Sequence, residues 1–331
     1  MSGRSTTRRA GTALAAGALL ALARPAPAQL LYVSNEAART VSVVDAAARR
    51  VVATIPVGVR PRGIQLSPDG RRVYVALSDE HPRVQSGRDA VAVIDAATRR
   101  VVARYAAGTD PEQFGVTPDG TRLYASNEDA GTASVTSLRT GRTMATLVVG
   151  IEPEGVAVSP DGRWVYVTAE TSNTVSVIDT RREKVAASFL VDVRPRAAAF
   201  APDGSRAYVT NEISGTLSVI DARRHEVTGS VELERGEGKP VGVVVSPDGA
   251  RVYVANGGAG AVSVVDARTL RVVGRVPVGR RPWGIALSRD GRWLYTVNGL
   301  SNSVSVVDTR TLRVVATIPV GARPWGIAVG R

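Results

Sequence analysis

A tyrosine-led phrase recurs seven times along the chain, and this repeat limits the folds available to it. The repeated tyrosines are spaced by 42, 50, 42, 42, 45 and 42 residues: Tyr32, Tyr74, Tyr124, Tyr166, Tyr208, Tyr253 and Tyr295. In the regular units an aspartate follows the tyrosine after 13 residues, and a proline follows that aspartate after 16. A period of this length is typical of a fold assembled from small, equivalent units.

Each unit has the pattern of four short strands. The unit at 155–191, GVAVSPDGRWVYVTAETSNTVSVIDTRREKVAASFLV, contains four apolar runs separated by SPDG, a polar stretch and DTRR. Pro and Gly between such runs are turn signals. Four antiparallel strands in 42 residues predict one blade of a β-propeller. A solenoid and a row of sandwiches are the alternative folds.

The two ends of the chain complement each other. The first unit, 29–57, lacks a first strand, whereas the final RPWGIAVGR at 323–331 is a first strand without a blade. Pairing the two would close the ring and cover the open strand edges. The sequence therefore predicts an all-β fold, a seven-bladed propeller with four antiparallel strands per blade, closed by the C-terminal strand in blade 1.

Residues 1–28 have the pattern of an export signal. Three arginines precede an apolar stretch at 10–23, and Ala26-Pro27-Ala28 offers a cleavage site. The apolar stretch is too short for a spanning helix, so no membrane insertion is expected. We expect a periplasmic or secreted protein, exported by the Sec or twin-arginine route, with residues 29–331 as one domain.

Charge and composition exclude several classes of function. The whole chain carries a formal charge of +12, and removal of the four arginines in 1–28 leaves 38 basic and 30 acidic residues. Export makes nucleic acid an unexpected partner despite this basic excess. The chain has no cysteine, which excludes disulfides, Cys-ligated zinc, iron–sulfur clusters and covalent c-type haem.

Several phrases resemble a known family. Tyr208-Val209-Thr210-Asn211 matches the signature of the YVTN-type propeller repeat. The ordered phrases YVSNE, RPRGI, DPEQFGVTPDG, PEGVAVSPDG, VRPRAAAF, RPWGIALS and RPWGIAV resemble the periplasmic propeller associated with catabolism of alcohols that depends on pyrroloquinoline quinone (PQQ). The resemblance implies a non-cytochrome accessory protein that requires no cofactor, has PQQ as a possible ligand, and has a periplasmic quinoprotein dehydrogenase or cytochrome as a possible partner.

The strand order predicts where a site would lie. Loops after the second strand and between blades share one face, here called the top face, and both insertions in the repeat, 78–90 and 232–240, fall on it. Residues flanking the inter-blade prolines enter this face nearest the axis. Those of blades 3 and 4 are acidic, the other five blades form one contiguous basic arc, and two tryptophans fall on neighbouring blades 7 and 1. The predicted ligand-binding residues are Arg60, Arg62, Arg194, Arg196, Arg281, Trp283, Arg323 and Trp325.

These residues are suited to a planar anion, because guanidinium groups can clamp it and indole rings can stack on it. The alternative is that the tryptophans pack between blades and the charges pair across loops. Acidic residues collect over blades 3 to 5, where convergence would suit a hard cation such as Ca²⁺. This predicted acidic cluster comprises Asp110, Glu112, Glu128, Glu152, Glu154, Glu170 and Glu212.

Catalysis has little support in the sequence. The two histidines, His81 and His225, fall in a top insertion and a bottom turn, so they form no haem, zinc or Ser-His-Asp grouping. We therefore expect an exported, non-catalytic and monomeric binding protein. The alternative is a lactonase-like propeller hydrolase, in which carboxylates hold a metal that activates water.

Overall fold

The computed structural model describes Gly3 and residues 29–80, 87–234 and 238–330. Blade 1 contains β1 (Leu30–Asn35), β2 (Thr40–Asp45) and β3 (Arg50–Pro56); blade 2 contains β4 (Pro61–Leu66), β5 (Arg72–Leu77), β6 (Ala90–Asp95) and β7 (Arg100–Ala106); blade 3 contains β8 (Pro111–Val116), β9 (Arg122–Asn127), β10 (Thr132–Ser137) and β11 (Thr143–Val148); blade 4 contains β12 (Pro153–Val158), β13 (Trp164–Ala169), β14 (Thr174–Asp179) and β15 (Lys184–Leu190). The predicted export signal, 1–28, lies outside the described residues except for Gly3.

The second half of the ring follows the same order. Blade 5 contains β16 (Pro195–Phe200), β17 (Arg206–Asn211), β18 (Thr216–Asp221) and β19 (Glu226–Glu232); blade 6 contains β20 (Pro240–Val245), β21 (Arg251–Asn256), β22 (Ala261–Asp266) and β23 (Arg271–Pro277); blade 7 contains β24 (Pro282–Leu287), β25 (Trp293–Asn298), β26 (Ser303–Asp308) and β27 (Arg313–Pro319). The last strand is β28 (Pro324–Val329). No helix of the described residues is long and apolar enough to cross a membrane.

Seven four-stranded antiparallel sheets form the ring, which confirms the predicted fold. The last strand, β28, pairs with β1, so blade 1 has the order β28-β1-β2-β3. Leu31 lies opposite Val329 and Val33 opposite Ile327 in this pairing. The tail therefore supplies the innermost strand of blade 1.

The core lies between neighbouring blades, because each sheet buries both faces. One cluster joins Leu31 and Val44 of blade 1 to Tyr295 and Val306 of blade 7. The repeated tyrosines belong to this inter-blade packing, and Tyr166 and Tyr208 are almost fully buried. Each blade thus depends on its neighbours for its buried surface.

The turns follow from local hydrogen bonds. The aspartate that ends the third strand accepts backbone N–H groups of the next turn, as Asp266 does from Thr269 N at 2.7 Å. In the SPDG turns the serine donates to the aspartate, as Ser159 Oγ does to Asp161 Oδ1 at 2.6 Å. Side chains of Asp and Ser commonly stabilise turns in this way.

Removal of residues 323–331 should destabilise the whole ring, because blade 1 would lose its inner strand and blades 7 and 2 would lose a packing face. We expect the midpoint of thermal unfolding to fall by ~10 °C or more. Adding a synthetic peptide of sequence 322–331 should restore part of the loss, whereas a scrambled peptide should not. An unchanged midpoint in the truncated protein would contradict closure by the tail.

Candidate functional site

A β-bulge at the top of every inner strand positions the candidate site. In β12, Pro153 pairs with Ala169 and Val156 pairs with Val167, so one extra residue lies between the pairs. The same register shift occurs in the other six inner strands. An extra residue bends the strand and redirects a side chain. The redirected residue is the one directly after each inter-blade proline.

Close backbone packing requires a small residue after most of these bulge residues. A Cβ on Gly155 would lie 2.2 Å from the carbonyl oxygen of Arg196 in the next blade. A Cβ on Gly242 would lie 2.3 Å from the carbonyl oxygen of Trp283. Glycine thus allows neighbouring inner strands to approach at the level of the site.

Hydroxyl groups of the second strands anchor the bulge residues of the next blade. Ser126 Oγ donates to the carbonyl of Glu154 at 2.6 Å, and Thr168 Oγ1 donates to that of Arg196 at 2.9 Å. A Ser or Thr one residue before the end of the second strand therefore fixes the backbone of a residue at the axis.

The seven bulge residues meet at the axis in a ring that we call the axial belt. In blade order it comprises Trp325, Arg62, Glu112, Glu154, Arg196, Val241 and Trp283. Arg62 lies 5.9 Å from the Trp325 ring centroid and forms an ion pair with Glu112. This first half of the belt therefore reads Trp–Arg–Glu.

The second half of the axial belt mirrors the first. Arg196 Nη1 lies 3.1 Å from Glu154 Oε2, and the guanidinium carbon lies 5.2 Å from the Trp283 centroid. Arg196 thus reaches past the small Val241 of blade 6. The rings of Trp283 and Trp325 are 5.9 Å apart and tilted by 42°, which closes the belt.

A second ring lies above the axial belt, formed by the residues before the prolines. All seven have left-handed backbones, with φ between 37° and 63°: Arg60, Asp110, Glu152, Arg194, Lys239, Arg281 and Arg323. Their carbonyls accept N–H groups from the loop after the second strand, as Arg194 O does from Glu212 N at 2.8 Å. The left-handed conformation recurs once per blade at this opening and also in the turns after the third strands, as at His225 and Leu270, so it is a feature of the repeat.

Glutamates from those loops pair with the predicted basic residues. Arg194 Nε lies 2.8 Å from Glu170 Oε2, and Arg196 Nε lies 2.7 Å from Glu212 Oε2. Arg62 Nη2 lies 3.3 Å from Glu36 Oε1. The predicted acidic cluster omitted Glu36, because it belongs to blade 1, outside the acidic blades. The basic side chains over blades 2 and 5 are therefore largely neutralised, as one alternative from the sequence supposed.

The ring of glutamates is interrupted by Ser78 in blade 2 and has its wider gap at the adjacent blades 6 and 7, where Gly257 and Gly299 follow the asparagine. A cavity of about 240 Å³ opens beside this gap. Its lining includes all eight predicted ligand-binding residues, together with Glu36, Glu128, Glu154, Glu170, Gly299, Leu300 and Pro324. The structure thus brings the eight residues together around one opening.

Two arginines at this opening differ from the others. The guanidinium carbon of Arg281 lies 4.8 Å from the Trp283 centroid, and no carboxylate of the described residues lies within 4 Å of its guanidinium. Arg323 is exposed, and the one carboxylate of the described residues within 4 Å of its guanidinium is that of Glu36, at 3.9 Å. Both cations remain available at the mouth of the cavity.

Three acidic residues of the predicted acidic cluster converge beside the cavity. Carboxylate oxygens of Asp110, Glu112 and Glu128 lie within 4.8 Å of one another, close enough to hold a cation. Arg60 Nη1 already lies 3.2 Å from Asp110 Oδ1, and Arg62 pairs with Glu112. A bound Ca²⁺ would have to displace these guanidinium groups.

Burial raises the pKa values of several carboxyl groups beside the cavity. Burial raises the pKa of Glu112 to about 7, although Arg62 opposes the shift. Burial and the charge of Glu112 raise the pKa of Glu128 to about 8. Burial also raises the pKa of Glu154 and, less strongly, that of Glu170.

Other predicted residues lie outside the cavity. Glu152 hydrogen-bonds Thr171, and Glu212 pairs with Arg194 and Arg196 rather than joining a carboxylate cluster. His225 accepts or donates a 2.8 Å hydrogen bond with Tyr166 near the opposite face. His81, in the first insertion, lies outside the described residues.

The asparagines of the repeat are structural, but they act through side chains rather than the local backbone. Asn35 Nδ2 donates to Ser42 Oγ at 2.9 Å, and Asn211 Nδ2 donates to Ser218 Oγ at 2.9 Å. These bonds join the second and third strands below the top face.

A second cavity of about 440 Å³ runs along the axis beneath the axial belt. Its walls are inner-strand residues such as Leu66, Val156 and Ile285, and it shares four belt residues with the upper cavity: Glu154, Arg196, Trp283 and Trp325. The belt therefore forms the floor of the upper cavity and the roof of the lower one.

Family profiles match each half of the chain separately. Residues 192–314 match the family described as "Lactonase, 7-bladed beta-propeller", and residues 29–193 match the "Choice-of-anchor I domain". Neither match reaches half of the chain. In fold, the chain is similar to the lactonase-type seven-bladed propellers. A search of curated proteins gives no match.

Solved structures support the same fold. Hydrazine synthase from Kuenenia stuttgartiensis is 22% identical with a TM-score of 0.76, covering 85% of this chain and 92% of that one. A putative 6-phosphogluconolactonase from Bacteroides fragilis is 17% identical with a TM-score of 0.78, covering 93% and 100%. Dihydro-heme d1 dehydrogenase NirN in complex with DHE is 18% identical with a TM-score of 0.66, covering 92% and 76%. At these identities the similarity shows the fold alone.

The raised pKa values predict that stability depends on pH. A carboxyl whose pKa is raised on folding contributes stability below its unfolded pKa, near 4.5, and loses that contribution as pH rises through the folded value. The free energy of unfolding should therefore fall between about pH 5 and pH 8.

The variant Glu154→Gln removes one such buried carboxyl. Relative to wild type, it should gain stability as pH rises, on the order of 1 kcal/mol per pH unit. Urea unfolding at pH 5, 6.5 and 8 measures the difference, with the exposed Glu226→Gln as the control. A parallel pH dependence of Glu154→Gln and wild type would show that Glu154 titrates normally.

Proposed function

We propose that the upper cavity binds a small planar anion and that the protein acts as a binding protein rather than an enzyme. One observation carries this proposal: Arg281 has no carboxylate partner among the described residues and lies over Trp283, at the edge of an open cavity. A guanidinium without a carboxylate partner can bind the carboxylate of a ligand, and two adjacent indole rings can stack on the aromatic ring that carries it.

The two tryptophans supply the stacking surface. Trp283 is partly exposed and Trp325 is 6% exposed, so Trp283 presents most of the accessible ring. Arg323 and Arg281 flank the pair on adjacent blades. The ligand that the sequence resemblance suggests is PQQ, which combines an aromatic core with three carboxylates. A propeller-containing relative in fold, NirN, was solved with a bound ligand.

A second candidate is a lactonase-like hydrolase. The convergence of Asp110, Glu112 and Glu128 supports it, as do structural neighbours described as putative 6-phosphogluconolactonases. A divalent cation held there would polarise a lactone carbonyl or activate water. Calcium-dependent hydrolysis of 6-phosphogluconolactone that is lost in Glu128→Gln would favour this candidate over binding alone.

Titration with PQQ at micromolar concentration should quench tryptophan fluorescence, and raising the salt concentration should weaken the interaction. The double variant Trp283→Ala/Trp325→Ala should lose about 1 kcal/mol of binding free energy per stacked ring. Binding is measured by calorimetry for this variant, because its own quenching signal is removed. Absence of saturable binding to wild type would reject capture of a small ligand and favour a protein partner at this face.

Filling the gap in the glutamate ring provides a sharper variant. A Cβ on Gly299 would lie 3.4 Å from its nearest neighbours, the carbonyl oxygens of Arg281 and Pro324, so a side chain needs only a small adjustment. Gly299→Glu should place a carboxylate beside the two free arginines and reduce anion affinity at least tenfold. Gly299→Gln has nearly the same size without the charge and should retain more affinity. Equal affinity of the two variants would show that charge at the mouth does not govern binding.

A further inference from the structure

The upper cavity has two chemically different walls. The basic wall belongs to adjacent blades 7 and 1 and comprises Arg281, Trp283, Arg323 and Trp325. Its arginines lack close carboxylate partners among the described residues, apart from the 3.9 Å approach of Glu36 to Arg323. This wall can accept an anionic group and stack against the ring that carries it.

The opposite wall belongs to blades 3 and 4 and is acidic. It comprises Glu128, Glu154 and Glu170, backed by the buried Glu112. Glu154 and Glu170 are paired with Arg196, but no arginine or lysine of the described residues lies within 4 Å of Glu128. Glu128 instead lines the cavity next to Asp110 and Glu112, and it shares a side-chain hydrogen bond with Glu112. Its neighbours among the described residues at this wall are therefore carboxyl groups rather than a paired cation.

Electrostatics at this wall would oppose a second negative charge. The cavity is partly enclosed, so interactions inside it are screened less than those at the surface. A carboxylate near Glu128 would meet three carboxyl groups, whereas a hydroxyl or an amide would find hydrogen-bond acceptors. The nearby arginines Arg62 and Arg196 do not compensate this charge, because they already pair with glutamates of the axial belt.

We infer that the cavity selects a bipolar ligand, with a planar anionic end at the basic wall and an uncharged hydrogen-bonding group at the acidic wall. This inference rests on the proposed function, because it assigns the ligand class of the same cavity. The quinone edge of PQQ carries no carboxylate, but its carbonyl oxygens only accept hydrogen bonds, so it can face Glu128 only while that carboxyl is protonated and donates. Ligands with carboxylates at both ends of a rigid ring are disfavoured.

Three probes of one ring system test the inference: naphthalene-2-carboxylate, 6-hydroxynaphthalene-2-carboxylate and naphthalene-2,6-dicarboxylate. Affinities are measured by calorimetry at pH 8.5, where the acidic wall is most negative. The hydroxy acid should bind tightest, and the dicarboxylate should bind at least tenfold more weakly than the hydroxy acid. Equal affinities, or tightest binding by the dicarboxylate, would overturn the bipolar assignment while leaving anion binding at the cavity intact.

Two variants test which wall of the cavity disfavours the dicarboxylate. Glu128→Gln removes a charge at nearly constant size, so it should restore dicarboxylate affinity to within about twofold of the monocarboxylate. Arg281→Gln should weaken all three probes by a similar factor and leave their order unchanged. If Glu128→Gln leaves the dicarboxylate penalty intact, the acidic wall is not its source and the inference fails. If no probe binds wild type, the proposed function fails with it.

Discussion

The bulge after each inter-blade proline is the constraint on which the candidate site depends. Without the bulge, the side chains of an inner strand would simply alternate between the two faces of its sheet, and both faces pack against neighbouring blades. The bulge moves one residue per blade out of that alternation, and in every blade but blade 3 glycine or alanine follows, so that neighbouring inner strands stay close. Seven side chains meet at the axis as a result, and their identities decide what the top face can bind.

Charges within the axial belt do not act as free charges. Arg62 and Arg196 are largely buried and pair with Glu112 and Glu154. Buried ion pairs contribute little net stability, because desolvation offsets attraction, but losing one partner is costly. The belt is therefore a fixed floor for the cavity. In the function proposed above, ligand recognition is therefore assigned to the side chains above the belt, chiefly Arg281, Arg323 and Glu128.

The repeat spacing predicted the fold because strand and turn signals recur at fixed offsets, and it also placed the eight proline-flanking residues on one face. Their pairing could not be predicted in the same way. Arg196 contacts Trp283 across blade 6 because Val241 is small, and Glu36 of blade 1 reaches Arg62 of blade 2. Such contacts depend on the length of each side chain and on the direction that the bulge gives it. The spacing of the repeat predicts neither. The sequence shows Gly257 and Gly299, but it does not show the gap that they leave. That gap is recognised only when the larger side chains of the other blades are placed around the same opening.

A crystal structure of the protein soaked with PQQ would test the central claim most directly, namely that the axial belt and the gap beside Gly299 create an anion site. We expect planar density against Trp283, with a carboxylate within hydrogen-bonding distance of Arg281 and with the ion pairs of Arg62 and Arg196 retained. Ligand density away from the upper cavity, or a belt whose arginines leave their glutamates to bind the ligand, would contradict the claim.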